Sequence, residues 1–156
     1  MAKPPPLVVR LIGIGKYEYY PFLDAKGDTN ADDLYNFLNK EYKDGRECDI
    51  KVVKDATKEA ILAELRSLRE PVDRTKGIVV FFSSYGGSTG EGTSIICPTD
   101  IARTEKSKGI TDKELTQLFD SIAKFRGKNI TFFLDAPSLA FDWGWPTSEG
   151  WAPPLA

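Results

Sequence analysis

The seven residues "GIVVFFS", Gly77 to Ser83, decide the fold class of this chain. They are apolar without polar alternation, which predicts a β-strand that is buried on both of its faces. Two other runs have the same character: "LVVRLIGI" over residues 7–14, and "ITFFL" over residues 130–134, which an Asp closes. Strands of this kind occur in parallel sheets that helices cover on either side. The three runs therefore predict the centre of such a sheet.

The segments between these strands have helical periodicity. Residues 31–42 place Leu34, Leu38 and Tyr42 four apart, and we expect Asp32 and Asp33 in the first helical turn. The other predicted elements are an edge strand over residues 48–53, a helix from about Thr57 to Pro71, and a helix from the capping box of Thr111 and Glu114 to Gly127. Strands that alternate with helices predict an α/β fold. We expect a three-layer α-β-α sandwich with a mostly parallel sheet of four to five strands.

The composition indicates one soluble domain. The chain has 156 residues, 21 Lys and Arg against 23 Asp and Glu, and no basic tract, so we expect neither nucleic acid nor a membrane surface as a partner. No window approaches a transmembrane span, and Arg10 interrupts the first apolar run, which makes it a poor signal peptide. Two cysteines form no disulfide framework, so a reducing, cytoplasmic setting is expected.

The absence of histidine restricts the chemistry further. The sequence contains no histidine, which removes the commonest general base and the commonest transition-metal ligand. With Cys48 and Cys97 far apart, a zinc site of the Cys/His type is excluded as well. We therefore expect no metal and no cofactor. Neither cysteine has a visible base or thiolate-stabilising neighbour, so both are interpreted as small apolar side chains.

Candidate site residues follow from the predicted topology. In open α/β sheets, ligands and catalytic groups collect beyond the carboxyl ends of the strands. Three segments should meet there: residues 15–17, 83–87 and 135–138. The residues expected to line this site are Lys16, Ser83, Ser84, Gly86, Asp135 and Ser138.

A glycine-rich segment offers a second kind of site, which we weigh against a solvated loop. Residues 87–94 have the spacing of a phosphate-binding loop, but Thr93 stands where that motif has its lysine. Glu91 would also face phosphate with the wrong charge, and the residues that follow are typical of a strand rather than a helix. A solvated loop is the favoured interpretation.

The order of motifs resembles a known family. "LIGIGKY", "DATKEAILAEL", "IVVFFSSYGG", "SIICPTDIA", "KGITDKELTQLF" and "NITFFLDA" follow one another along the chain. From Leu7 to Asp135 the chain is similar to the large-subunit region of the caspase/metacaspase family, peptidase C14, and above all to the caspase-like domains of mushroom-forming fungi. The resemblance implies a caspase-like domain over residues 1–141, a cysteine endopeptidase ancestry and a connection with the regulation of cell death.

The resemblance also implies that both catalytic residues are replaced. The family's general-base His corresponds to Tyr85, and its nucleophilic Cys corresponds to Pro137. Proline lacks the N–H that in these enzymes helps to hold the oxyanion, and a phenol keeps its proton at neutral pH. The metacaspase phrase that selects basic side chains matches at Asn30, while its acidic position falls on Ala31 or, with a gap, on Asp32. We therefore expect a pseudoenzyme and not an active cysteine protease.

The C-terminal part has no counterpart of the family's small subunit, and it generates the partner hypothesis. Residues 142–156 are a Trp/Pro-rich tail with Trp143, Trp145 and Trp151. The strand that contains Phe132 would be left as an unpaired edge, which either the tail or another chain covers. We expect a binding or regulatory module whose partner is a caspase-like chain or a second copy, with Phe132 and the three tryptophans at the interface. The alternatives are a hydrolase in which Ser84 or Ser138 attacks, helped by Lys16 or Tyr85, and a pocket for a small ligand or nucleotide.

Overall fold

A four-stranded parallel sheet forms the centre of the protein. The computed structural model describes residues 6–42, 47–69, 76–88, 93–102, 109–126 and 129–137. In the main sheet the strands β1 (Leu7–Gly13), β2 (Cys48–Lys54), β3 (Gly77–Ser83) and β7 (Ile130–Asp135) lie in the order β2-β1-β3-β7. All three pairings are parallel. The predicted α/β fold is confirmed, and the alternating strand of residues 48–54 lies at an edge of this sheet.

Helices cover the two faces and complete three layers. The helix α1 (Gly27–Phe37), which a π-helical turn over Leu38–Tyr42 extends, packs against β1, β2 and β3 on one face. The helices α2 (Lys58–Ser67) and α3 (Asp112–Arg126) lie on the other face. Along the central strand, Ile78, Val80 and Phe82 belong to the core shared with α2 and α3, whereas Val79 and Phe81 pack against the smaller cluster on the α1 face. Both faces of β3 therefore pack against apolar side chains, as the lack of polar alternation in "GIVVFFS" predicted.

The first helix begins earlier than its periodicity predicted. It starts at Gly27 instead of Ala31, so Asp28 is in the first turn, and Asp32 and Asp33 are not. The early start depends on the glycine, because a Cβ at position 27 would collide with the backbone carbonyls of Ile14 and Ser83. Asp32 instead forms a 2.9 Å ion pair with Lys54, the last residue of β2. The expected role of Asp32 and Asp33 as first-turn charges was wrong.

A second, antiparallel sheet was not predicted. The strands β4 (Gly86–Ser88), β5 (Ser94–Ile96) and β6 (Ile110–Thr111) pair in that order beyond the end of β3. Residues 87 and 88, interpreted above as part of a solvated glycine-rich loop, belong to β4, so that part of the prediction was wrong. Glycine offers no side-chain periodicity, so β4 left no pattern in the sequence, whereas the strand-like residues after the glycine-rich segment do form β5. The phosphate-loop candidate falls partly on residues 89–92, outside the described residues.

The last strand is less buried than its composition suggested. Phe133 is 54% exposed and Leu134 is 51% exposed, whereas the predicted strand was buried on both faces. The reason is position, since β7 is the edge of the described sheet and pairs there with β3 alone. Residues 138–156 lie outside the described residues, so the boundary between a domain over 1–141 and a tail over 142–156 stays a prediction. None of the helices in the described ranges combines the length and apolar character needed to cross a membrane.

The start of α3 is fixed by the capping box that the sequence predicted. Glu114 N–H donates to Thr111 Oγ1 at 3.0 Å, and Thr111 N–H donates to a Glu114 carboxylate oxygen at 2.9 Å. The other carboxylate oxygen forms a 2.9 Å ion pair with Lys58, the first residue of α2. Although partial burial opposes ionisation, the Thr111 hydrogen bonds and the Lys58 charge outweigh it and lower the pKa of Glu114.

One charged residue lies inside the sheet. Arg10, in the middle of β1, is 9% exposed and points toward α2. Its guanidinium forms a 2.9 Å ion pair with Glu64 and a 3.3 Å ion pair with Asp49 of β2. A buried charge needs such partners, because desolvation without them is costly. These two ion pairs therefore connect β1 with β2 and with α2.

Replacing Glu64 tests this buried pair. We expect Glu64→Leu to lower the free energy of unfolding by about 3 kcal/mol, because it leaves Arg10 buried without its shorter ion pair. Urea denaturation followed by circular dichroism measures the change. The control Glu59→Leu alters an exposed residue of the same helix and should cost less than about 0.5 kcal/mol. Equal effects of the two variants would contradict a buried pair.

The capping box gives a pH-dependent prediction. A carboxylate with a lowered pKa adds stability that is complete above its unfolded-state pKa and disappears as the pH falls through the folded-state pKa. Glu114→Gln keeps the cap but loses the charge, so it should cost up to about 1 kcal/mol at pH 7 and almost nothing near pH 3. Urea titrations at both pH values measure this difference. A cost that grows toward acid would contradict the assignment.

Candidate functional site

The carboxyl ends of β1, β3 and β7 are joined by backbone hydrogen bonds. Ile14 N–H donates to the Ser83 carbonyl at 2.8 Å, Ser84 N–H to the Asp135 carbonyl at 3.1 Å, and Gly86 N–H to the Pro137 carbonyl at 3.2 Å. The structure therefore brings the three predicted segments together at one edge of the sheet. Tyr85 and Pro137 lie on neighbouring segments there. Ser138, also predicted for this site, lies outside the described residues.

Tyr85 is held by its surroundings through each of its polar groups. Its N–H donates to the Tyr17 hydroxyl at 2.8 Å, and its own hydroxyl donates to the Asp24 carbonyl at 3.3 Å. Its carbonyl accepts from Cys97 N–H at 2.9 Å and from Ser84 Oγ at 2.8 Å. The two tyrosine rings lie 5.8 Å apart between centroids. This arrangement gives Tyr85 a structural place and directs its hydroxyl toward backbone.

Tyr17 anchors this arrangement from inside the core. It is 2% exposed. Burial raises the pKa of Tyr17 well above its ordinary value, and the neighbouring Cys97 thiol adds to the effect. The phenol therefore stays neutral and can accept the Tyr85 N–H throughout the physiological range. Sequence reasoning missed this contact, because the two tyrosines are far apart in the chain.

A second group of polar side chains lies beside the strand ends, on the α1 face. Ser83 Oγ donates to Asp135 Oδ2 at 3.1 Å. Asn30, in the first turns of α1, donates its amide to Ser83 Oγ at 3.2 Å and approaches Asp135 Oδ2 at 3.5 Å. Asp135 is exposed at the edge, while Ser83 is 2% exposed. This cluster presents a carboxylate to solvent and fixes its orientation.

The acidic position of the specificity phrase is not close to this carboxylate. Ala31 is fully buried against the sheet, and Asp32 points to Lys54 at the far edge. Of that phrase, Asn30 is the residue that reaches Asp135. The carboxylate that Asn30 approaches at this edge is therefore that of Asp135.

Among the described residues, the serine and cysteine side chains considered as nucleophiles, Ser84, Cys97 and Cys48, are poorly placed for that role. Ser84 is 1% exposed, and its hydroxyl donates to the Tyr85 carbonyl instead of facing a base. Cys97 is buried, and burial raises the pKa of its thiol to about 12, so it does not form a thiolate at neutral pH. Cys48 is at the start of β2, at the opposite end of the sheet from the strand ends. The interpretation of Cys97 as a small apolar side chain fits these observations.

A cavity of about 730 Å³ opens next to the end of β1. Its wall includes Gly15, Lys16, Tyr17 and Asp28, so the predicted Lys16 does lie at a cavity. The N–H groups of Gly15 and Lys16 donate to Asp55 Oδ1, at 2.8 and 3.0 Å. Sequence reasoning missed Asp55. The available signal was an acidic residue two positions after the predicted strand of residues 48–53, where it can bind the N–H groups of a neighbouring turn.

No group of His, Cys, Asp and Glu side chains among the described residues is arranged to hold a metal ion.

The comparisons with known proteins agree with this architecture. The family model for the caspase domain, Peptidase_C14, matches residues 8–142, which is most of the chain. The chain belongs to the caspase-domain family. No curated protein matches it. Among solved structures, the crystal structure of protein GSU0716 from Geobacter sulfurreducens is similar, with 13% identity and a TM-score of 0.61 over 83% of this chain. At that identity the likeness concerns the fold alone.

The chain spans about half of the length of the GSU0716 structure, since the similarity covers 49% of that chain. The part that is matched includes the sheet edge at which Tyr85, Asp135 and Pro137 meet. This sheet edge is therefore part of the caspase domain.

Replacing Tyr17 tests the support of this edge. Tyr17→Phe leaves the Tyr85 N–H without its acceptor and should lower the free energy of unfolding by about 1–3 kcal/mol at pH 7. A raised pKa means that the stability from Tyr17 is complete below the unfolded-state pKa and is lost as the pH rises beyond it. Above pH 10 the difference from wild type should therefore shrink.

Urea denaturation at pH 7 and pH 10.5 provides the measurement. Tyr19→Phe is the matched control, because Tyr19 is 56% exposed and should have almost no effect. A Tyr17→Phe variant as stable as the control would show that the Tyr85 contact contributes nothing.

Proposed function

We propose that this caspase domain is a pseudoenzyme that acts by binding, as a decoy or hetero-partner of an active caspase-like protease. The proposal depends on one position above all, the meeting point of β3 and β7. The resemblance assigns the catalytic dyad to Tyr85 and Pro137 there, and neither residue supplies a thiol or an imidazole.

Tyr85 is a poor substitute for a general base. Its hydroxyl already donates its proton to the Asp24 carbonyl. A base must reach the attacking group with a free lone pair and a suitable protonation state. The replacement therefore supports a packing role for the ring, beside Tyr17.

The backbone donors that could bind an oxyanion already have partners. Pro137 has no N–H, and the N–H groups of Ser84, Tyr85 and Gly86 bind the carbonyl of Asp135, the hydroxyl of Tyr17 and the carbonyl of Pro137. An oxyanion hole requires donors that are free to point at the developing charge. Loss of such a donor alone typically costs about a hundredfold or more in rate. Combined with the missing dyad, this argues against peptide hydrolysis by the family mechanism.

The position of β7 at the edge of the described sheet supports the binding role. An edge strand with exposed apolar side chains is a template for pairing with another chain. Phe132, expected at this interface, packs instead against Phe119 with ring centroids 5.0 Å apart, and Phe133 and Leu134 are the exposed side chains. The three tryptophans of the predicted interface lie outside the described residues. Because the motifs resemble fungal caspase-like domains, an active member of that group in the same reducing, cytoplasmic setting is the first partner to test.

One observation favours a second candidate function, the binding of a small ligand. The cavity of about 730 Å³ beside β1 is within the usual size range of ligand pockets, and both lysine and aspartate side chains line it. Stabilisation of the protein by nucleotides or small zwitterions, seen as a higher melting temperature, would favour this candidate.

The absence of hydrolysis is tested with peptides. We expect purified protein to cleave neither basic nor acidic fluorogenic peptides and to take up no fluorophosphonate probe. Turnover that follows the protein through purification and disappears in Ser84→Ala would contradict the proposal and support the serine alternative.

The binding role is tested by adding the protein to an active fungal caspase-like protease. We expect the peptidase rate of that enzyme to change at least twofold at stoichiometric ratio. Leu134→Asp should weaken the effect, because a charge at the β7 edge opposes apolar pairing. Phe37→Asp is the control, since Phe37 is 55% exposed on α1, away from the edge. An unchanged rate over all ratios would refute the partner.

A further inference from the structure

The α1 face of the sheet has an open apolar groove between α1 and β7, which we call the α1–β7 groove. It has a volume of about 290 Å³. Its walls include Leu34 and Leu38 of the helix, Val79 and Phe81 of β3, and Thr131 and Phe133 of β7. Apart from the threonine, these side chains are apolar. An uncovered surface of this kind marks a place where another segment packs.

Alternate side chains of β3 are buried to different extents on the two faces of the sheet. Ile78, Val80 and Phe82, which face α2 and α3, are between 0% and 2% exposed. Val79 and Phe81 face the groove and are only half-buried. Both sets belong to the same central strand, so the difference in exposure arises from the elements that pack against each face of the sheet. On the groove side α1 covers β1, β2 and part of β3.

We propose that residues 138–156 turn back from the end of β7 and pack their tryptophans into the α1–β7 groove of the same molecule. The described chain reaches Pro137 directly after β7, the strand that forms one wall of the groove. From there to Trp143 an extended chain covers about 20 Å, which is also the length of a six-residue strand. Trp143 and Trp145 can therefore reach any level of the groove.

The composition of this segment fits an apolar site. Residues 138–156 contain all three tryptophans of the chain, with Leu139 and Phe141, and their charged residues are Asp142 and Glu149. Large aromatic side chains bury the most apolar area per residue, about 150–250 Å² each. Such side chains suit the volume of the groove, and their burial offsets the entropy of ordering the segment.

Intrinsic fluorescence tests the proposal on the full chain. Because all three tryptophans lie in this segment, tryptophan emission reports on it alone. Relative to the urea-unfolded protein, we expect blue-shifted tryptophan emission and at least twofold protection from acrylamide quenching. Both properties should persist on dilution from micromolar to nanomolar concentration.

Two adjacent residues of β7 provide a matched pair of variants. Phe133 and Leu134 are 54% and 51% exposed but point to opposite faces of the sheet. Phe133→Asp places a charge in the groove and should remove the protection, whereas Leu134→Asp should leave it unchanged. Far-UV circular dichroism checks that each variant is folded, and Phe133→Ala, expected to halve the protection, replaces Phe133→Asp if the latter does not fold.

Each of the other results would overturn the proposal. Solvent-exposed emission in the wild type would show that the groove is not covered by this segment. Protection that survives both Phe133 variants, or that Leu134→Asp removes equally, would place the tryptophans elsewhere. Protection that is lost on dilution, with a dimer in sedimentation, would show that a second copy supplies the occupant.

Discussion

The parallel hydrogen-bond ladder of the sheet continues past the ends of its strands, and the character of the site depends on this continuation. Bonds from Ile14 to Ser83, from Ser84 to Asp135 and from Gly86 to Pro137 extend the pairings of β1 with β3 and of β3 with β7. Backbone N–H groups that serve the ladder are not available to a ligand. The N–H groups of Ile14, Ser84 and Gly86 therefore already have hydrogen-bond partners within the protein.

Side chains reinforce this closure on both sides of the ladder. On one side the hydroxyl of Tyr17 accepts the Tyr85 N–H, and on the other the Ser83 hydroxyl binds Asp135. In each contact one partner, Tyr17 or Ser83, is almost fully buried, and a missing hydrogen bond there costs more than at the surface. A catalytic edge needs unsatisfied donors and a titratable base in the same place. Here the N–H groups of Ser84, Tyr85 and Gly86 and the hydroxyl of Tyr17 all take part in the hydrogen bonds that hold this edge together.

Much of the fold could be predicted from the sequence, for reasons visible in particular residues. The apolar run of β3 and the reciprocal Thr111–Glu114 cap are local patterns, and the structure contains both. The start of α1 at Gly27 was missed because it depends on two backbone segments distant in sequence, and the small antiparallel sheet was missed because two of its residues are glycines. Exposure of Phe133 follows from the strand order, which composition does not specify.

Part of the candidate site could likewise be predicted from the sequence, and part could not. That residues 15–17, 83–87 and 135–137 meet at one edge followed from the topology, since the carboxyl ends of parallel strands share an edge. The Tyr17–Tyr85 contact and the binding of Asp55 to Gly15 and Lys16 depend on side-chain orientations that no spacing encodes.

The close stacking of glycines at this edge has an evolutionary consequence. A side chain at Gly13 would strike the carbonyl of Gly27, and one at Gly27 would strike that of Ser83, so main chain rests directly on main chain. This contact does not involve the side chains at positions 85 and 137. Substitutions at those two positions can therefore accumulate without disturbing it, whereas an alanine at position 13 or 27 would force the end of β1 and the start of α1 apart.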